Sequence, residues 1–135
     1  MMHDFLWTVP IYYEDTDAGG VVYYANYLKY FERARTEWLK SFQISQKHLA
    51  ATENSVFVVK SVDIQYYTPS FLEDTLIIYS RLNKVGRASL YFSQSAKRGE
   101  TLISESKTHV VCVDTLSLRP RSLPLSVQNL VNQFK

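Results

Sequence analysis

Three acidic residues and two glycines lie close together within residues 12–27, which lead into a segment of helical character. Asp15 and Asp17 precede the pair Gly19 and Gly20. A carboxylate just before a helix can attack a carbonyl carbon or activate a water molecule that attacks it. The amide N–H groups that a helix start leaves unpaired can stabilise the resulting oxyanion. Acyl-transfer chemistry is therefore one of three interpretations of these residues.

The same acidic residues suggest two other interpretations, a calcium loop and a structural turn. An EF-hand calcium loop that starts at Glu14 has Ala25 where the bidentate Glu belongs, so this register is excluded. A loop that starts at Asp15 has Asn26 there and is excluded as well. Asp15 and Asp17 can also form side-chain turns with the following backbone, and for a single Asp beside glycine this structural role is the favoured explanation.

Other catalytic arrangements lack the residues they need. The three histidines, His3, His48 and His109, are scattered, and no Ser-His-Asp, Cys-His or metal-ligand pattern is evident. The one cysteine, Cys112, lies in an apolar run, which predicts a buried and unreactive thiol. A lone cysteine also excludes a disulfide within the chain, as suits a reducing compartment. We therefore expect neither a metal nor a cofactor.

The composition predicts one cytoplasmic domain, which we assign to residues 1–135. Its length of 135 residues lies within the usual range for one domain. The net charge of +2, without a long basic run, argues against nucleic-acid binding. The N-terminus lacks the features of a signal peptide, and no apolar run approaches the roughly 20 residues that span a bilayer. We therefore expect no transmembrane segment.

Hydrophobic periodicity predicts the elements that position these residues. Apolar residues recur at steps of three and four from Tyr27 to Phe42, which predicts a helix over 26–42 with one bulky face. Shorter helices are predicted at 45–53 and 125–134. Alternating or β-branched segments predict five strands, at 5–13, 56–67, 75–84, 87–97 and 101–114. Residues 83–86 and 98–100 are the predicted turns of two hairpins, which makes the connected strands antiparallel.

Two features predict how these elements pack. Pro10 places the first strand at an edge of the sheet or at a bulge. The last strand has a face of small residues, which would let the 26–42 helix lie close; they are Ser104, Ser106, Thr108, Val110 and Cys112. One long helix against an antiparallel sheet is an α+β layout. A single sheet layer leaves one face uncovered, so we expect dimerisation through the sheet.

The chemistry-bearing segment reads DTDAGGVVY at 15–23, followed by NY at 26–27. It closely resembles the signature of the 4-hydroxybenzoyl-CoA thioesterase family, and most closely that of the Tol-Pal-associated (YbgC-type) acyl-CoA thioesterase branch. Further matches extend the resemblance over nearly the whole chain: FERARTE at 31–37, YYxP at 66–69, GRxSL at 86–90 and RP at 119–120.

The resemblance implies a hotdog fold, in which a curved antiparallel sheet of about five strands wraps a central helix. It implies hydrolysis of an acyl-CoA thioester to a carboxylic acid and coenzyme A, by a homodimer or homotetramer with active sites between subunits. Asp17 matches the catalytic carboxylate, as nucleophile or general base, and the Tyr24 backbone N–H matches the oxyanion donor. The branch usually has His at the position of Tyr24, but a backbone donor survives that change.

The resemblance also suggests substrate contacts. Val58, Val59 and Lys60 lie on the strand that faces the neighbouring subunit's acyl group in family geometry. Arg87 and Ser89 could meet the phosphates of coenzyme A, with Arg supplying charge-assisted hydrogen bonds. Tyr23 is a further candidate contact. For the strand residues and for Arg87 and Ser89, a packed strand position or a solvated charge is an equally good explanation.

A second hypothesis is that the chain chiefly binds acyl carrier protein or lipid-synthesis enzymes and hydrolyses little. Four basic residues near the predicted hairpin turns, Lys84, Arg87, Lys97 and Arg98, could meet such an acidic carrier. A hotdog dehydratase is disfavoured, because that chemistry needs a catalytic His and residues 12–27 contain none.

Overall fold

The computed structural model describes residues 4–133, which form three α-helices and a five-stranded antiparallel sheet. In chain order the elements are β1 (Phe5–Pro10), a 3-10 turn (Tyr13–Asp15), α1 (Asn26–Lys40), α2 (Gln46–Glu53), β2 (Ser55–Tyr66), β3 (Thr75–Val85), β4 (Ser89–Arg98), β5 (Thr101–Asp114) and α3 (Leu125–Asn132). The expected α+β layout is confirmed. Residue 134, the predicted end of the last helix, lies outside the described residues.

The strands lie in the order β1-β3-β4-β5-β2, so β1 and β2 form the two edges. Pro10 ends β1 opposite Thr75, which confirms the predicted edge position. At the other edge, β2 pairs with β5 alone over twelve residues. Its side chains Val58, Val59 and Val62 are exposed. A long edge strand with exposed apolar side chains favours pairing with another strand.

The core lies between α1 and the sheet. Phe31 and Ala34 of α1 pack with Ile78 of β3 and Ala96 of β4. Trp38, on a later turn of α1, makes an edge contact with Phe92 at a ring-centroid distance of 5.4 Å. These contacts confirm that the bulky face of α1 packs on the sheet.

The small-residue face of β5 is buried as expected, but α1 does not cover it alone. Val127 of α3 belongs to the same cluster as Trp38, Val110 and Cys112. Cys112 is fully buried, as expected, and burial raises the pKa of its thiol. The sequence pattern did not indicate that the last helix would share this face.

One of the two predicted turns was misplaced. Residues 83–86 were expected to form a turn, but β3 continues to Val85 and the chain reverses over residues 86–88. The register of β3 against β4 shifts between Leu82 and Lys84, so Asn83 lies at a bulge. The bulge leaves Asn83 outside the strand pairing, and Asn is also a common turn residue, so the sequence resembled a turn at this point. The second turn is confirmed, with Gly99 at φ +58.

Candidate active site

Asp17 lies in a short two-stranded turn, residues 15–23, which we call the carboxylate hairpin. Tyr23 N–H donates to the Asp15 carbonyl over 3.0 Å, and Asp17 N–H donates to the Val21 carbonyl over 2.8 Å. Thr16 and Val22 form the bridge pair between these two bonds. The chain reverses at residues 18–20, so the carboxylate stands at the closed end of the hairpin.

The hairpin holds the Asp17 side chain by one oxygen. Oδ1 accepts the N–H of Gly19 at 2.8 Å and that of Val21 at 3.4 Å. Oδ2 accepts no hydrogen bond from any residue in the range 4–133, and the side chain is exposed. The structural role considered for Asp17 is therefore real. It also leaves one carboxylate oxygen available for chemistry.

The other arm of the hairpin leads directly into α1, and this helix start has unpaired donors. The N–H of Asn26 bonds to the Tyr23 carbonyl at 2.9 Å, and the N–H of Tyr27 bonds weakly to the Tyr24 carbonyl at 3.4 Å. Within the described part of the chain, the N–H groups of Tyr24 and Ala25 donate to no acceptor, and no side chain caps the helix. Unpaired N–H groups and the helix dipole favour a negatively charged oxygen here.

Exposed tyrosines surround this helix start. Tyr23 and Tyr24 are 47% and 61% exposed, with ring centroids 4.9 Å apart. The Tyr24 ring also meets Tyr66 edge-on at 5.9 Å. Because Tyr66 is the last residue of β2, the carboxylate hairpin lies at the C-terminal end of this edge strand.

The remaining expected contacts lie elsewhere in the chain. Val58 and Val59 lie in the N-terminal half of β2, about 25 Å along the strand from Tyr66. Lys60 is at the register shift between Val59 and Ser61. One subunit therefore does not bring these residues to its own Asp17.

Arg87 and Ser89 share a sheet end with Val58. Val58 pairs with Val111 of β5, and Val111 pairs with Ser89 of β4, so the three residues form one row across the sheet. Arg87 lies just before this row and is exposed. This end of β4 is about 30 Å from Arg98, which bonds to Asp74 beside the carboxylate hairpin.

The expected basic cluster is divided between the two ends of the sheet. Lys84 and Arg87 lie at one end of β4, and Lys97 and Arg98 lie at the other. Arg98 forms an ion pair with Asp74 at 2.9 Å. The two turns flank β4, so its length of ten residues keeps the four basic residues from forming one patch.

The structure also shows a Ser-His pair that the sequence pattern did not reveal. His109 Nε2 and Ser89 Oγ are 2.8 Å apart, and the His109 ring stacks on Tyr91 at 4.2 Å. No carboxylate among residues 4–133 bonds to this histidine. Without an orienting acid, the pair has only part of a catalytic triad.

An apolar cavity of about 440 Å³, the α1–β2 cavity, opens between the central helix and the edge strand. Its apolar lining comprises Leu39, Phe57, Val59, Leu90, Phe92 and Val110, and its polar lining comprises Glu32, Arg35, Thr36 and Gln46. A larger depression, on the other face of the sheet, has mostly polar and charged walls, including the Arg81–Asp4 ion pair. The apolar cavity is the better candidate binding site for an acyl group, because apolar walls favour burial of a hydrocarbon.

Within residues 4–133, no three His, Cys, Asp or Glu side chains are grouped so that they could hold a metal ion. Each helix in that range is too short or too polar to cross a bilayer.

Comparison with known proteins gives a consistent family assignment. Residues 12–131 match the model of the thioesterase-like superfamily. The acyl-CoA thioester hydrolase YbgC of Escherichia coli O6:H1 is 46% identical over 132 residues, which is 97% of this chain and 96% of that protein. The acyl-CoA thioesterase YbgC of Haemophilus influenzae is 38% identical over 131 residues, with coverage of 97% and 96%. A probable thioesterase from Bartonella henselae has a similar crystal structure, with a TM-score of 0.86, 30% identity, and coverage of 90% of this chain and 99% of that one.

The chain belongs to the thioesterase-like superfamily. The expected thioesterase enzyme, the resemblance to YbgC-type proteins and the hotdog fold are thereby confirmed.

Proposed function

We propose that the chain hydrolyses acyl-CoA thioesters, with Asp17 as the catalytic carboxylate and the Tyr24 N–H as the oxyanion donor. The observation that carries this proposal is the carboxylate hairpin. It holds Asp17 by Oδ1, leaves Oδ2 available, and runs directly into a helix start with an unpaired amide. The names of the YbgC relatives support the acyl-CoA substrate class.

Two routes use the same groups. In the first, an Asp17 oxygen bonds to the thioester carbonyl carbon, the C–S bond breaks, and coenzyme A leaves as a thiolate that takes up a proton. Water then hydrolyses the resulting anhydride to release the acid. In the second, Asp17 takes a proton from a water molecule whose oxygen attacks the same carbon. The C–S bond then breaks, and coenzyme A leaves as a thiol with the proton that Asp17 returns. In both, the Tyr24 N–H donates to the carbonyl oxygen as its negative charge grows.

A homodimer is the smallest assembly that would complete this site. We infer that two β2 strands pair antiparallel about a two-fold axis near their middle, because β2 has an open edge and exposed valines. Such pairing brings the Val58–Val59 half of one strand beside the Tyr66 end of the other. The partner's α1–β2 cavity would then receive the acyl group of a thioester held at Asp17. A homotetramer would be a pair of such dimers.

The same pairing gives the remaining contacts a role. Ser89 shares a row with Val58, and the exposed Arg87 lies next to that row. We assign Arg87 and Ser89 to the coenzyme A phosphates, Tyr23 to the mouth of the site, and Lys60 to the strand that borders it. The alternative of an acyl-carrier-protein binder has less support, because Lys84 and Arg87 are separated from Lys97 and Arg98 by the length of β4.

A thiol-release assay over short, long and aromatic acyl-CoAs tests the proposal. The wild-type protein should release coenzyme A from at least one of these classes. Asp17→Asn should not, whereas the control Asp4→Asn, which removes an exposed carboxylate outside the hairpin, should match the wild type. Absence of hydrolysis across the whole panel would overturn the proposed function.

A further inference from the structure

Asn26, the first residue of α1, is a polar side chain that is only 9% exposed. Its Nδ2 donates to the main-chain carbonyl of Asp15 over 2.8 Å. Its own N–H donates to the Tyr23 carbonyl over 2.9 Å. Asn26 therefore bonds to both arms of the carboxylate hairpin, from a position two residues after the unpaired Tyr24 amide.

The main-chain carbonyl of Asp15 accepts two hydrogen bonds, one from the helix start and one from the other arm of the hairpin. It accepts Nδ2 of Asn26 and, over 3.0 Å, the N–H of Tyr23. It lies two residues before Asp17, while its two donors lie on either side of Tyr24. The bond from Asn26 thus links the carboxylate arm to the helix start independently of the hairpin ladder.

The Asp15 side chain is held at the same place. Its Oδ2 accepts the N–H of Tyr12 at 2.8 Å. Tyr30, one helical turn after Asn26, is almost fully buried, and burial together with the neighbouring Asp15 carboxylate raises the pKa of its hydroxyl. The half-buried Asp15 side chain is therefore held by its own turn and lies beside α1.

We propose that Asn26 is a positioning residue for thioester hydrolysis, which fixes the distance between the Asp17 carboxylate and the Tyr24 amide. The inference rests on the proposed function, since it assigns a role within that site. Removal of the Asn26 side chain leaves the Asp15 carbonyl bonded to Tyr23. The hairpin should therefore persist, with a looser connection to α1.

The test compares Asn26→Ala with a control that loses the same kind of bond far from the site. Gln128→Ala is that control, because Nε2 of Gln128 donates to the Leu123 carbonyl over 2.6 Å at the start of α3. Asn26→Ala should lower kcat by roughly ten- to a hundredfold, since a misplacement of about 1 Å can cost a hundredfold. Its KM should change less than about threefold. Its melting temperature should fall somewhat further than the control's, because Asn26 is buried whereas Gln128 is exposed, so the split between kcat and KM is the diagnostic readout.

A second variant keeps the test decisive if Asn26→Ala folds poorly. Asn26→Ser retains a hydroxyl donor and should keep more of kcat than Asn26→Ala. Wild-type kcat in both variants, with Asp17→Asn inactive, would overturn the positioning role and leave the proposed function intact. If Asn26→Ala and Asn26→Ser lost kcat to the same extent, and each loss of kcat was accompanied by a fall in melting temperature, the role of Asn26 would be purely structural. A wild-type protein without hydrolysis would defeat the proposed function and this inference with it.

Discussion

Gly19 is the residue whose substitution should disturb the Asp17 carboxylate most selectively. An alanine Cβ at Gly19 would lie 3.3 Å from Oδ1 of Asp17, which is closer than ordinary contact. The same oxygen accepts the Gly19 N–H at 2.8 Å, so it cannot move away without lengthening that bond. The carboxylate must therefore shift by a few tenths of an ångström.

Gly20 provides the matched comparison in the same turn. Its φ of +81 disfavours any residue with a Cβ, but a Cβ there would meet nothing within 4 Å. Gly20→Ala should therefore cost about 1 kcal/mol of backbone strain without a side-chain clash. For a domain of this size, that corresponds to a fall of roughly 4 °C in melting temperature.

The two variants should separate activity from stability. If about 1 Å of misplacement costs roughly a hundredfold, a shift of a few tenths should lower kcat of Gly19→Ala by roughly four- to tenfold. Its melting temperature should fall less than that of Gly20→Ala. Thiol release and thermal melts at one fixed protein concentration measure both quantities. Full kcat in Gly19→Ala, or a greater loss in Gly20→Ala, would refute the placement of the carboxylate.

Three further predictions concern the donor, the interface and acid stability. Tyr24→Pro removes the N–H and should lower kcat by roughly a hundred- to a thousandfold, whereas Tyr24→Phe keeps it and should stay within about threefold in thiol release. Val62→Lys puts a charge on the open edge of β2 and should give monomers in light scattering, with loss of turnover. The N–H groups of Ser117 and Leu116 hold the pKa of Asp114 below its usual value, so its stabilising effect is complete above the unfolded-state pKa and is lost as pH falls through the folded-state pKa. Asp114→Asn should remove that part of acid unfolding, as followed by circular dichroism.

Local patterns were sufficient to predict most elements of the fold. The spacing from Tyr27 to Phe42 predicted α1 within two residues, and the bounds of β5 agree with the prediction. The periodicity of apolar side chains and the turn residues both lie within short segments of sequence, so helices, strands and turns can be predicted from them. The DTDAGG segment likewise led to Asp17 and to the start of α1.

Contacts that depend on how the strands pair could not be predicted from the sequence. Gln94 lies on the apolar face of β4, where its amide bonds to the Phe31 carbonyl and the Ser80 hydroxyl. The Ser89–His109 contact and the shared row of Val58 and Ser89 require the register of three strands. Register is set by tertiary packing, and a shift of one residue would reverse every face.

The rate of a single turnover by Asp17→Asn tests the central assignment most directly. Asn keeps an Oδ1 acceptor for the Gly19 N–H, so the hairpin should retain its shape while the ionised oxygen is lost. With the best wild-type substrate and enzyme in excess, we expect the hydrolysis rate to fall by about a thousandfold or more. A single-turnover rate within about tenfold of the wild type would contradict the role of Asp17 as the catalytic carboxylate.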